Sequence, residues 1–260
     1  MPVPAPPSRV RVACDRPVRP DGDYVLYWMT AARRTRYSFG LQQAMWRAHE
    51  LGRPLLVLEA LRVGHEHNTA RVHRFVLDGM AVNARRFGAA GVTHFAYVEP
   101  IPGAGRGLLA ALSTRACVIV TDQFPGYFLP RMLASAAKQV TCRLEAVDGN
   151  GVVPLASTPK AFNTAASFRR VVHRRAEEHF EDSPLPRPLD GYAAGRAVLP
   201  AEVQRRWPAT PEAALTQPTL VASLPLDQGV PPVAGLTGGS GAGEARIERF
   251  GGPALARYPA

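Results

Sequence analysis

The sequence predicts a doubly wound, Rossmann-like α/β domain built on a five-stranded parallel sheet, followed by an irregular Pro/Gly-rich C-terminal tail. Short apolar runs alternate with segments of helical period from Tyr24 to about residue 180. The runs are apolar throughout, as in strands covered on both faces. Composition then changes: residues 181–260 hold 12 of the 25 prolines and 10 of the 23 glycines.

The first element is Tyr24 to Met29 (YVLYWM), rich in β-formers and placed at the centre of the sheet. Leu41, Ala44, Met45, Ala48 and Leu51 recur at helical spacing, and Gly52 before Arg53-Pro54 supplies the stop. A second strand covers 54–60 (PLLVLEA). Asn68 and Thr69 can cap the next helix, whose apolar face carries Val72, Phe75, Val76, Met80 and Phe87. Thr93 to Val98 is the third strand, Gly107 to Ser113 a short helix, Ala116 to Thr121 the fourth strand, Pro130 to Gln139 a helix and Val140 to Val147 the fifth strand. A basic helix over 162–180 closes the series. The expected division is a flexible lead-in at 1–21, an α/β domain at 22–180, and a linker or tail at 181–260, which either drapes over the domain or joins it to another unit.

The net charge of +10 is almost all arginine, since Lys138 and Lys160 are the two lysines. Residues 1–180 hold 24 basic and 13 acidic side chains (24 − 13 = +11), and 181–260 hold 7 and 8 (7 − 8 = −1). The basic field belongs to the α/β part; it would favour a polyanion, yet arginines spread over several elements are more often a solvated surface than a nucleic-acid site. No apolar stretch is long enough for a membrane span, and the first 20 residues lack the apolar centre of a signal peptide, so a cytoplasmic protein without membrane attachment is expected. Cys14, Cys117 and Cys142 are far apart and predict buried thiols, neither a disulfide framework nor a zinc site.

Gly103-x-Gly105-x-Gly107 with Asp122 imitates a dinucleotide fingerprint. The third glycine should stand at 108, where Leu108 sits, and Pro100 and Pro102 spoil the tight turn, so a flexible loop is expected. His65, His67 and His73 read as loop histidines. There is no P-loop and no Gly-x-Ser-x-Gly elbow. Three loops at carboxyl ends of strands are chemically distinctive: Thr30 to Ser38, Thr121 to Phe128, and Asp148 to Pro154. Open α/β sheets bind ligands at that edge. The candidate site therefore comprises Met29, Arg33 and Arg34 from the first loop and Asp122, Phe124 and Tyr127 from the second, with Trp28 and Phe128 as further aromatic lining. In it the arginines would hold an anionic ring or tail and Asp122 would accept a ring N–H. The competing expectation is that Asp122 caps the next helix and the aromatics fill the core.

Tyr24-Val-Leu-Tyr-Trp-Met-Thr-x-x-Arg-Arg, then Arg53-Pro54-Leu-Leu-Val-Leu, Val120-Thr-Asp122 and Val147-Asp148-x-x-x-Val-Val-Pro154 resemble, in this order, the N-terminal antenna domain of class II deoxyribodipyrimidine photolyases, in the photolyase and cryptochrome family. The likeness covers about 22–180, with scattered pieces at Val230 to Val233 and Arg257-Tyr258. The family pattern has a histidine and an asparagine at 150 and 151, where this chain has Asn150 and Gly151. The resemblance implies light-driven repair of cyclobutane pyrimidine dimers by FAD held in a separate helical domain, and an antenna pigment (deazaflavin, folate or FMN) in the α/β domain. The chain stops at Ala260, about where the family's linker enters the flavin domain, so the resemblance implies a chain inactive by itself that meets damaged DNA through a separate helical partner. The alternatives are a stand-alone nucleotide- or pigment-binding module and a DNA-binding accessory protein.

Overall fold

The computed structural model describes residues 2–158, 161–251 and 255–257; Tyr258, Pro259 and Ala260 of the sequence comparison lie outside the described residues. The elements are β1 (Val10–Cys14), β2 (Tyr24–Met29), α1 (Phe39–Leu51), β3 (Leu55–Leu61), α2 (Ala70–Ala89), β4 (Thr93–Val98), α3 (Leu108–Ser113), β5 (Ala116–Gln123), α4 (Leu129–Gln139), β6 (Arg143–Asp148), α5 (Ala165–Ala176), α6 (Ala201–Arg206), α7 (Glu212–Leu215), α8 (Pro218–Ser223) and α9 (Ser240–Arg249). Among the described residues no helix is long and apolar enough to cross a membrane.

The sheet order is β1-β6-β5-β2-β3-β4, so β2 is an inner strand between β5 and β3. β2 through β6 are parallel, as their apolar composition predicts, and every residue of β2 is buried. The chain runs β2, β3, β4 in one direction and returns to lay β5 on the other side of β2. That puts the topological switch point between β2 and β5.

Two expectations are corrected. The sheet has six strands, because Val10–Cys14 pairs antiparallel with β6. An edge strand needs only one apolar face and can be short, so VRVAC lacks the continuous apolar run that betrays the inner strands. The described part of the lead-in, residues 2–21, is therefore built into the fold. Arg9, only 2% exposed, donates to the carbonyls of Gly151 (3.2 Å) and Val152 (2.5 Å) and lies over the Phe39 ring.

Period-two alternation sorts the core. Val25, Tyr27 and Met29 face α1 and α2, while Leu26 and Trp28 face α3 and α4 with Leu56, Leu58, Phe95 and Tyr97. Helix ends follow the local chemistry: Ser38 caps α1 through Leu41 N–H, Thr69 caps α2 through Val72 N–H, and Gly52 ends α1 at φ 60°. The Thr93-side edge of the sheet is covered by the tail, where Thr210 N–H donates to Ala96 O and Thr210 Oγ1 accepts from Val98 N–H.

The tail drapes, one of the two outcomes its composition allowed, and it also supplies buried side chains: Val203, Trp207, Leu215, Val221 and Leu224. Trp207 Nε1 donates to Ala104 O at 2.8 Å. Gly238 is not linker. A Cβ there would fall 1.9 Å from Phe75 O, so the glycine permits the tail backbone to lie against α2.

Candidate functional site

Asp122 is the next-to-last residue of β5, at the switch point, and both of its oxygens are engaged. Oδ1 accepts from Tyr27 Oη at 2.8 Å, and Oδ2 accepts from the backbone N–H groups of Thr30, Ala31 and Ala32 at 2.9, 2.8 and 3.1 Å. The carboxylate thus holds the loop after β2 in a nest of amides. Tyr27 is pushed well above its ordinary pKa by burial and by Asp122, so it stays a donor. Gly40 is required beside this pair, since a Cβ would sit 2.7 Å from Asp122 Oδ1.

The six residues chosen from the sequence do not converge. Met29 is fully buried on the α1/α2 face, its Sδ 3.7 Å from Asn83 Nδ2. Arg34 turns back to donate to Tyr37 O at 3.1 Å. Phe124 lies against Gly126. Tyr127 is 74% exposed, with φ 57° and an edge contact to His67. Asp122 neither caps α4 nor faces open space. The competing expectation was right that Asp122 serves the fold, through a different partner.

Arg33 alone of the six reaches an open volume. A cavity of ≈ 600 Å³ lies on the α3/α4 face, over the carboxyl ends of β2, β3 and β4. Its floor is Trp28, Leu58, Ala60 and Tyr97, and its walls include Leu108, Leu109, Phe128 and Met132. Trp28 and Phe128, expected as aromatic lining, are both present. Arg33, Arg62, Arg106 and Arg131 stand around it, with Glu99 and His65. Glu99 does not neutralise them directly: Oε2 accepts from Val63 N–H and Oε1 from Gly105 N–H, both at 3.0 Å. The glycine run is explained here, because the turn from Gly103 to Gly107 forms one rim. A Cβ at Gly105 would meet Tyr97 at 3.1 Å, and Gly103 and Gly107 have φ of 87° and 90°.

The four arginines differ. Arg33 Nη1 is 3.4 Å from Glu59 Oε1 and its Nη2 donates to Ala60 O at 2.7 Å. Glu59 is fully buried; burial alone would raise its pKa, yet the His94 contact at 2.9 Å, Arg33 and Asn83 outweigh this and hold it below the usual range. Arg62, Arg106 and Arg131 have no acidic partner among the described residues; Arg62 lies 5.8 Å over the Phe128 ring. His65 is kept below its ordinary pKa by burial and by the neighbouring His73, His67 and Arg62 charges. An apolar aromatic floor with uncompensated guanidinium groups at the rim suits a flat, anionic molecule.

None of Arg62, Arg106 or Arg131 was singled out in the sequence. Arg62 follows a strand and Arg106 follows Gly105, but nothing in one dimension distinguishes them from paired arginines. Two further arrangements are structural. Asp148 accepts from Asn150 N–H and Leu155 N–H, and Asn150 Nδ2 donates to Gln123 O, so the third distinctive loop closes on itself. Ser157 Oγ is 3.2 Å from His179 Nε2, and His179 Nδ1 is 2.9 Å from Asp182 Oδ2, the order of a nucleophile, base and acid. The N–H groups of Ser157 and Thr158 are bonded to Pro154 O and Leu155 O, so neither of these two is free to serve as an oxyanion donor. The row ties the 3-10 turns Leu155–Ser157 and Glu177–His179 together. Cys117 and Cys142 are buried, and burial pushes the Cys142 thiol up to about 11, so it is inert.

No protein-family model matches the chain. A deoxyribodipyrimidine photo-lyase of Methanothermobacter thermautotrophicus is 26% identical over 156 residues, 59% of this chain and 34% of the relative, so the match spans about a third of that protein's length. A crystal structure of a cryptochrome from Synechocystis sp. superposes with a TM-score of 0.56 at 14% identity, covering 87% of this chain and 46% of that one. A bacterial class III photolyase from Agrobacterium tumefaciens gives a TM-score of 0.43 at 16% identity, over 74% of this chain and 40% of that one, too weak a likeness to carry an argument. The sequence match to a photolyase and the fold shared with a cryptochrome support a photolyase/cryptochrome-like domain.

Proposed function

We propose that this chain is the pigment-holding α/β part of a light-driven photolyase-like protein, of the class II type its sequence motifs resemble. The cavity between α3 and α4 takes a flat chromophore with an anionic tail. One observation carries the reading: Arg62, Arg106 and Arg131 stand, among the described residues, without acidic partners around an apolar floor of Trp28, Leu58 and Tyr97. The volume, ≈ 600 Å³, is within the range of ligand sites, about 300–1,000 Å³. Trp28 and Tyr97 would pack on the ring faces, the three arginines would hold carboxylate or phosphate oxygens, and Phe128 would exclude water. A bound pigment would supply light absorption; the chain supplies position and a dry wall.

Repair of pyrimidine dimers, the reaction that the name of the archaeal relative denotes, further needs the flavin-holding helical unit of that family. FAD in its catalytic role is assigned to such a unit, whether it lies on a longer polypeptide or on a partner chain, and damaged DNA would be met through it. The described residues form one layered α/β body with its tail folded back, and the cavity opens on the face of a sheet.

The test is a titration of the protein with FMN, a deazaflavin and a folate, read by pigment absorbance and by quenching of tryptophan emission. At least one anionic pigment should bind stoichiometrically, and Trp28→Phe should remove most of the quenching while binding persists. Riboflavin, which lacks the phosphate of FMN, should bind at least tenfold more weakly than FMN if FMN is the pigment that binds. If none of the three binds, the cavity is not a pigment site.

A further inference from the structure

The positive charge of this protein is not evenly answered by acid. Within the α/β body arginines are matched to carboxylates: Arg33 to Glu59, Arg47 to Glu145, Arg74 to Asp78, Arg86 to Glu244 and Arg143 to Glu145. Other arginines of the body, among them Arg9, Arg19, Arg34 and Arg53, donate to backbone carbonyls instead, whereas helix α5, outside the cavity, concentrates arginines that have neither kind of partner among the described residues. Its sequence, AASFRRVVHRRA, has four arginines and a histidine, no acid and no buried residue. Arg169, Arg170, Arg174 and Arg175 are exposed and have no ion pair among the described residues.

Helical geometry orders them. At 100° per residue, Arg169, His173, Arg170 and Arg174 fall within roughly 140° of the circumference, and half-buried Val171 and Val172 fall outside this arc. The result is a stripe of Arg169, Arg170, His173 and Arg174 on successive turns, with Arg175 outside it, between Val171 and Val172. Cations in the last turn complement the helix dipole, which accounts for Arg174 and Arg175. It does not account for Arg169 and Arg170 in the middle. Those two have no carboxylate partner among the described residues.

We propose that α5 is a contact surface for the phosphate backbone of double-stranded nucleic acid, independent of base sequence and of any lesion. Guanidinium groups in a row along one exposed helix are the electrostatic footprint of such a surface. A protein partner would instead favour an apolar centre depleted of charge, whereas here charge occupies the centre of the stripe. The surface is separate from the cavity, and the inference does not depend on the pigment reading.

The experiment uses the full chain and an undamaged fluorescent duplex of about 20 base pairs, with anisotropy measured from 50 to 200 mM salt. Three phosphate contacts from the stripe predict a slope of log affinity against log salt of about −2.7, hence a fall of about 40-fold over that range. Arg169→Gln, Arg170→Gln, Arg174→Gln and Arg175→Gln combined should abolish most of that slope and leave the circular dichroism unchanged, since no α5 residue is buried. A control with the same charge change at exposed Arg11, Arg16, Arg205 and Arg246 should keep the slope within about one unit. Equal loss in both variants would mean general electrostatics and overturn the proposal, as would a wild-type slope near zero. Tighter binding of poly-glutamate than of duplex at matched charge would point to an acidic protein and overturn it too.

Discussion

The switch-point loop and the α3/α4 cavity lie side by side at the carboxyl edge of one sheet, and they differ in what their polar groups still have to give. At the switch point Asp122 has four donors on two oxygens, and the loop it holds is closed. In the cavity Arg62, Arg106 and Arg131 face open volume without acidic partners among the described residues. A polar residue at a sheet's carboxyl edge can thus be there for the fold or for a ligand. The distinction is whether its hydrogen-bonding capacity is already satisfied internally.

The largest expected effect breaks the first region. Asp122→Ala leaves three backbone N–H groups and the Tyr27 hydroxyl without their acceptor, at a cost of about 3–5 kcal/mol. Denaturant unfolding should show a lower midpoint, and a stability change under 1 kcal/mol would mean that the nest is dispensable. Next, Arg62→Gln with Arg131→Gln should leave the unfolding midpoint almost unchanged and weaken an anionic pigment by about 100-fold, close to 2.7 kcal/mol. Destabilisation with unchanged pigment affinity would reverse the assignment of the two regions.

Glu59 lies between them, since it is buried behind Arg33 at the cavity rim. Its folded pKa is lowered from the model-compound value of 4.5, so its ionised form contributes stability that is fully present above that pH and is lost as pH falls through the lower folded value. Glu59→Gln should cost about 1–2 kcal/mol at pH 7 and flatten the acid limb of stability below pH 4.5. An unchanged acid limb would show that other carboxylates dominate it. The smallest effect is at Arg34, whose Nε donates to Tyr37 O beside the surface. Arg34→Ala should change stability by about 0.5 kcal/mol or less and leave pigment binding within twofold. A tenfold loss of binding would return Arg34 to the site.

Much of the fold was legible in one dimension. YVLYWM, PLLVLEA and ACVIVT announce inner parallel strands because both faces of such strands must be apolar, and Ser38, Thr69 and Gly52 mark helix ends by local hydrogen bonding and φ. The edge strand Val10–Cys14 was not legible, because exposure on one side removes its pattern. The order of motifs also carried the family likeness. Site residues were harder. Trp28, Phe128 and Arg33, expected from the loops at strand ends, line the cavity, whereas Met29 lies on the opposite face by period-two alternation.

What the sequence by itself determined is the inner strands, the helices between them, and the surplus of arginine in the first 180 residues, since these follow from local propensity, apolar periodicity and composition. Only the tertiary structure decided which arginines meet a carboxylate and which meet open space. Glu59 and Arg33 are 26 positions apart, and Asp122 and Thr30 92 apart. The charge of a guanidinium is written in the chain, but its partner is chosen by packing, because a Coulomb interaction or a hydrogen bond acts over a few ångströms of space and takes no account of separation along the sequence.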